Sequence, residues 1–496
     1  MPRQADPIVE TPAGTVRGLR DRSGERYRGL PYAAAPTGAG RFAPPAPHPG
    51  WSGVRDGTRP SPTAPQPARD FGRLDMTPYF GPGWVPGGEY LTADIHTPAA
   101  DDGGRPVMVF VHGGGFVTGS NRAALYDGGA FARDGVVLVT VNYRLGVPGF
   151  LDLPGAPPNR GLLDLLAALG WVRDTVAAFG GDPGNVTVFG QSAGATLTGV
   201  LLATPRAKGL FRRAIVQSGN GSGAFTPEQA RRVSAVAAAA LGVEPTAEAF
   251  AALPDSRFLA VLPALAGLDL RTGTAGDPLA GLSPFGPVLP VQPADALADG
   301  PAAEIDLLIG TNAQEGHLYL APQGVLESTT QAELLAFATR TLADPQSVLA
   351  AHRAALPDAT PGELRSAVLG QVLFEAGTTR MARAHARISG GRTHRYSFGY
   401  RSTALGGRLG AAHTVELPFV FDLADEPWLH GDADLLGPAP APAGLAAQVH
   451  GAWVAFARTG NPGWAPYDPQ RPTAEVLGGE TAAGTAEGMP VVPPRT

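Results

Sequence analysis

From Pro106 onward the chain carries short runs that are apolar without alternation. They are Val107-Met-Val-Phe-Val111, Val136-Val-Leu-Val-Thr-Val-Asn-Tyr143, Val186-Thr-Val-Phe189, Ala214-Ile-Val-Gln217 and Ile305-Asp-Leu-Leu-Ile309. A strand apolar on both faces belongs to a sheet covered on both sides, which is the usual setting of parallel sheets. Between the runs, Leu162 to Val172 has the 3.6-residue period of a covering helix. Strands alternating with helices predict an α/β class with a central, mostly parallel sheet. Ahead of this region, Tyr90 to Ile95 alternates like a strand, and residues 9 to 66 read as an opening antiparallel hairpin followed by a Pro/Gly-rich surface segment. Pro67 to Gly88 reads as a loop whose Tyr79, Phe80 and Trp84 pack beneath it rather than form a substrate wall. Residues 225–300 and 329–390 are helical in pattern and predict cap insertions. Arg395 to Tyr400 returns to strand, and Leu445 to Thr459 is a final helix before a Pro/Gly-rich tail. With no internal repeat and no linker, residues 1–496 are expected to form a single domain.

Composition narrows the function without naming it. The 496 residues are 44% hydrophobic and 17% charged, enough apolar material for a large core. A net charge of −6 provides no attraction for nucleic acid or an anionic membrane, and no run of 18 apolar residues exists to span one. There are no cysteines, so disulfides, thiol chemistry and Cys-ligated metal are out. The first ten residues, Met1 to Glu10, lack the apolar core of a signal peptide. Both facts point to the cytoplasm. Oligomeric state stays open.

The chemistry starts at Val186-Thr-Val-Phe-Gly-Gln-Ser-Ala-Gly-Ala195. A β-branched run, then Gly190-Gln191-Ser192-Ala193-Gly194, then small helix-forming residues predict strand, tight turn and helix. Such a turn strains its central residue and lifts the Ser192 hydroxyl clear of the sheet. The Ala193 N–H would open the following helix, where the backbone dipole favours an anion. G-x-S-x-G alone is weak in a chain with 67 glycines, and a buried turn serine is the plain alternative. His112-Gly113-Gly114-Gly115-Phe116 follows the strand ending at Val111, about 80 residues before the serine. Consecutive glycines there can aim N–H groups at one point, as an oxyanion hole requires.

A nucleophilic serine needs a base and an acid to orient it. After Ser192 the histidines are His317, His352, His385, His394, His413, His430 and His450. His413 stands out because its loop, Gly410 to Pro418, leads into an apolar segment; His385 and His394 read as surface residues. For the acid, Glu315 lies just past a sheet strand, on the same carboxyl edge as Ser192. Asp306 and Glu416 are rivals that read better as structural.

At this point the sequence resembles the type-B carboxylesterase family, the cholinesterase-like branch of the α/β-hydrolase fold, and especially its bacterial para-nitrobenzyl esterases. The resemblance is carried nearly end to end by Arg28-Gly-Leu-Pro-Tyr32, Arg41-Phe-Ala-Pro-Pro45, His112 to Phe116, Asn142-Tyr-Arg-Leu-Gly146, Ala178 to Pro183, Val186 to Gly194, Gln217-Ser-Gly219, Gly310-Thr-Asn312, Glu315-Gly316, His413 with Glu416-Leu-Pro418, Trp453 to Ala457 and Thr459 to Pro462. It implies Ser192 as nucleophile, Glu315 as acid and His413 as base, with Gly114, Gly115 and Ala193 as oxyanion donors. It implies ester hydrolysis on a small-molecule substrate with neither cofactor nor metal.

Three departures carry expectations. Gln191 replaces the family's usual glutamate beside the nucleophile, which should weaken attraction for cationic alcohols. The family's first-loop cysteine pair appears as Ala64 and Tyr90, so packing alone should hold that loop. The acid usually paired with Arg41 would fall at Gly88, with Glu89 one position off.

Overall fold

The computed structural model describes residues 6–479, apart from 299, 301 and 389. Thirteen strands occur among them. β1 (Ile8–Thr11) and β2 (Gly14–Arg17) form the expected hairpin, and β5 (Val54–Asp56) adds in parallel to make a small three-stranded sheet. The large sheet holds β3 (Leu19–Asp21), β4 (Gly24–Pro31), β6 (Thr92–Thr97), β7 (Arg105–Val111), β8 (Val137–Val141), β9 (Gly181–Gln191), β10 (Arg213–Gln217), β11 (Asp306–Asn312), β12 (Thr393–Phe398) and β13 (Glu475–Leu477). Its order is β13-β12-β11-β10-β9-β7-β8-β6-β4-β3. Every pair from β8 through β7 to β13 is parallel, and the β8–β6–β4–β3 end is antiparallel. This is the central, mostly parallel sheet of the α/β-hydrolase fold.

The reason for the unbroken apolar runs is visible along β7. Val107, Val109 and Val111 face one hydrophobic core, while Met108 and Phe110 face the other. Successive side chains alternate across the sheet, so both sets must be apolar when both faces are covered. Helices Arg160–Thr175 and Ala193–Leu202 cover the first face, with Leu165, Leu169, Val172 and Leu197 buried. Helix Leu445–Thr459 covers the second through Trp453, Phe456 and Val449. Truncating a residue such as Phe110 to alanine would cost about 3–5 kcal/mol, from lost transfer energy and the cavity left behind.

The sequence missed β4, an eight-residue strand. Its GERYRGLP pattern is interrupted by charge, because β4 lies in the antiparallel end and buries only alternate positions until its last three. The 225–300 segment is helical in its first half, with Pro227–Leu241, Ala247–Ala251, Asp255–Ala260 and Leu262–Leu265. From Ala266 to Gln292 it is irregular backbone, where glycines raise the entropic cost of a helix and prolines remove its hydrogen bonds. Residues 331–386 are helical as expected. Arg41 takes its carboxylate from the 225–300 segment: its Nε lies 3.4 Å from Asp255, while Glu89 instead pairs with Arg55 and His48. The first loop is held by more than packing, since Gln66 binds the Ala64 and Gly119 carbonyls, the Gly119 N–H and the Thr118 hydroxyl. No helix among the described residues is long and apolar enough to cross a membrane.

Candidate active site

β7, β9, β11 and β12 are parallel, so the segments that follow them all emerge at one edge of the sheet. After β9 the chain turns at Ser192, which has φ 58° and ψ −124°. A non-glycine residue there is strained. The turn persists because Ser192 N–H donates to the Gln217 carbonyl at 2.9 Å and its own carbonyl accepts from Thr196 at 2.8 Å. Gly194 lets the turn lie against β7: a Cβ there would stand 2.0 Å from the Val111 carbonyl oxygen. The glycine run after β7 folds back through Val117 and Thr118 N–H bonds to the Gly114 carbonyl. Gly114, at φ 112°, has no room for a Cβ against the Thr118 oxygen. Among the described residues the N–H groups of Gly114 and Gly115 make no backbone hydrogen bond, and that of Ala193 begins a helix, where the first N–H groups have no helical partner.

Glu315 and His413 come from loops after β11 and β12, laced together by Gln314 N–H to the Ala411 carbonyl at 2.9 Å and Ala411 N–H to the Gln314 side chain at 3.0 Å. His413 Nδ1 lies 2.6 Å from Glu315 Oε2. The other carboxylate oxygen accepts from the Ser218 hydroxyl at 2.5 Å and from the Asn312 N–H at 2.7 Å. Three donors thereby fix one carboxylate. The far ring nitrogen of His413, Nε2, sits 3.3 Å from the Gln191 amide nitrogen. Tyr79 donates to the Gln191 amide oxygen at 2.7 Å, which assigns the NH₂ end to the histidine. One face of the imidazole is stacked on Phe374, with centroids 4.2 Å apart and planes 14° apart. Phe374 sits on a π-helical turn, Gln371–Glu375, a wide turn that interrupts an otherwise continuous helical stretch.

Behind this row lies a second carboxyl group. Glu416 is fully buried, accepts from Asn312 Nδ2 at 2.6 Å, and has its pKa pushed up to about 7 by burial and then by the charge of Glu315. His112 is also buried; loss of water pushes its pKa down to about 4, so it is a neutral ring stacked on Tyr143. Asp306 is occupied by Arg392 and Arg213 and lies away from the serine.

Ser192, Ala193, Gly114, Gly115 and His413 border one cavity of about 110 Å³. A larger cleft of about 820 Å³ opens beside Gln314 and His317 but contains neither Ser192 nor His413. The smaller, more apolar space is where a carbonyl group would meet a hydroxyl and an imidazole together. Tyr79 and Phe80 do line it, contrary to the packing expectation, because the short helix Thr77–Phe80 turns them inward; Trp84 does not. Gln191 is fully buried and points at His413 rather than into the cavity. His385 and His394 are buried, not on the surface: His385 Nδ1 meets the Thr393 hydroxyl at 2.8 Å, and His394 lies inside β12.

Sequence reasoning overlooked Ser218, the Asn312 N–H and Phe374. Ser218 directly follows β10, so the sheet-edge logic that singled out Glu315 would have reached it. Nothing local marks Phe374.

The Carboxylesterase family pattern matches residues 5–476. The chain belongs to the carboxylesterase family. It is 34% identical over 473 residues to the para-nitrobenzyl esterase of Bacillus subtilis (strain 168), covering 92% of this chain and 90% of that one. It is also 34% identical to the phenmedipham hydrolase of Pseudarthrobacter oxydans, covering 96% of both. Among solved structures, the Geobacillus stearothermophilus carboxylesterase at pH 6.2 superposes with a TM-score of 0.82 at 35% identity over 96% of each chain. This carboxylesterase is therefore a hydrolase of ester bonds in small molecules.

Proposed function

We propose that Ser192 is the nucleophile, His413 its general base, Glu315 the orienting acid, and the N–H groups of Gly114, Gly115 and Ala193 the oxyanion hole. The observation that carries this reading is the 2.6 Å contact of His413 Nδ1 with Glu315, opening on the same cavity as the strained Ser192. With Nδ1–H held by the carboxylate, the neutral imidazole keeps a lone pair on Nε2. That nitrogen takes the Ser192 proton as the hydroxyl attacks the ester carbonyl. Nε2 must exchange its contact with the Gln191 amide for one with the serine. The oxyanion gathers charge as the tetrahedral intermediate forms and is held by the backbone donors, each worth about 10²–10³ in rate. The imidazolium then protonates the departing alcohol. Water repeats the sequence on the acyl-enzyme.

A space of about 110 Å³, where one water occupies about 30 Å³ of liquid, suits short to medium neutral acyl groups. The chain acts as a single domain with helical insertions over the sheet edge. It resides in the cytoplasm, as its lack of cysteine supports. A second reading, the same apparatus acting on carbamates, is favoured by the relative named phenmedipham hydrolase.

A fluorophosphonate probe should place one label per chain, on Ser192, and Ser192→Ala should lose both label and p-nitrophenyl ester turnover. A label elsewhere in active enzyme refutes the assignment. Matched ester and carbamate substrates rank the two readings. A rate that jumps beyond the solubility limit of a long-chain triglyceride would mark a lipase instead.

A further inference from the structure

One cation at the cavity takes no part in the proton transfers between Ser192 and His413. Arg69 lies at the cavity's border in the loop before the Thr77–Phe80 helix. Its Nη2 stands 3.1 Å from where a methyl group on Gly115 would be, and its guanidinium carbon is 6.0 Å from the centre of the Phe80 ring. It is therefore poised beside the glycine whose N–H faces the reacting carbonyl. The neighbouring carboxylate does not neutralise it: Asp70 accepts the Gly72 N–H at 2.8 Å, closing its own turn. Among the described residues Arg69 makes no ion pair, and no aspartate or glutamate borders the cavity. The side chain stays exposed, yet the groups packed around it pull its pKa below the ordinary arginine value. A guanidinium without a carboxylate partner at the mouth of an apolar cavity attracts an anion that enters there, by an amount that solvent screening keeps modest.

Building on the esterase reading of Ser192 and His413, we infer that Arg69 selects esters that carry a carboxylate, on the acyl or the alcohol portion, over their neutral isosteres. Short neutral esters are still turned over, and cationic esters are the poorest class. The guanidinium fork offers paired donors suited to a carboxylate, next to an apolar wall formed by Phe71 and Phe80.

The test compares kcat/KM for the mono-4-nitrophenyl ester of adipic acid with that for 4-nitrophenyl 6-methylheptanoate. A second arm compares 3-acetoxybenzoate with 3-isopropylphenyl acetate, separating acyl-borne from alcohol-borne charge. In Arg69→Gln the charged-to-neutral ratio should fall about tenfold in at least one arm, and in Arg69→Lys it should fall less, since the site stays open to solvent. Raising salt should lower the ratio in the wild type and leave Arg69→Gln indifferent. Ratios equal in wild type and Arg69→Gln in both arms overturn the inference, as does a proportional loss on both substrates of a pair. If Ser192→Ala retains turnover of these esters, the reading of the site itself is wrong and the inference falls with it.

Discussion

The turn at Ser192 and the loop at His413 are held in place by opposite means. Residues 181–202 form a continuous strand, turn and helix, and the strain at Ser192 is fixed by contacts within a few ångströms of β7 and β10. The loop carrying His413 has little regular structure. The ring is located by Glu315 on one nitrogen, Gln191 on the other and Phe374 on its face, and these come from three separate elements. Ser192, the proposed nucleophile, is thus placed by backbone, and His413, the proposed base, by side chains. A site divided this way should fail differently at each half: the turn by losing structure, the base by losing chemistry while the fold survives.

The sharpest break on the histidine side is Glu315→Gln. The amide oxygen would take over the bonds from Ser218 and Asn312 N–H, which turns the NH₂ toward His413 Nδ1. That forces the ring proton onto Nε2, the nitrogen proposed to accept from Ser192. We expect kcat/KM to fall by about 10³–10⁴ with the thermal midpoint nearly unchanged; activity within tenfold of wild type would show that Glu315 does not orient the base.

On the turn side, Gly194→Ala drives a methyl into the Val111 and His112 carbonyls at 2.0 and 2.6 Å. Backbone at both ends leaves no flexible partner to yield, so unfolding in urea should show a loss of roughly 3 kcal/mol or more. A soluble variant of wild-type stability would mean the turn sits less tightly against β7.

Smaller is the effect expected at Glu416, beneath the loop. Its pKa is raised from 4.5 to about 7 in the folded protein. The folded state then holds a proton that the unfolded state releases, so this contribution to stability is complete below about 4.5 and is lost as pH rises through about 7. Glu416→Gln should remove that component. Its stability should decline less than the wild type's between pH 5 and 8, the difference being of the order of 1–3 kcal/mol; parallel curves would show Glu416 to be ionised throughout.

Gln191→Glu should act most gently. The residue faces His413 rather than the cavity, so a carboxylate there favours the charged imidazole and moves the acid limb of kcat/KM to higher pH. Because the side chain is buried away from substrate, selectivity for a choline ester over its neutral isostere should change little. A large change in that selectivity with a stationary acid limb would place residue 191 in the cavity after all.

The same division marks what could be read from the chain. Val107 to Val111, Val186 to Phe189 and Leu445 to Thr459 declare themselves, because burial on two faces or one stripe demands apolar residues at fixed periods. Gly190-Gln-Ser-Ala-Gly194 declares itself because a strained turn at close quarters excludes other residue types. From the residues alone Ser192 and the glycine run could be named, whereas His413 and Glu315 were singled out from several rivals only with help from a family resemblance. The position expected to pair with Arg41 holds Gly88, with Glu89 one residue off, and Asp255 from a distant insertion supplies the carboxylate. Side chains more than a hundred residues apart, such as Tyr79 on Gln191 and Gln191 on His413, meet because the segment before β6, the end of β9 and the loop after β12 all reach one edge of the sheet. Local sequence determined the strands, the covering helices and the serine turn, since each is stabilised by short-range periodicity and sterics. Tertiary structure alone decided which histidine face is stacked, which amide holds it and which cation stands at the cavity, since those contacts carry no periodic signal along the chain.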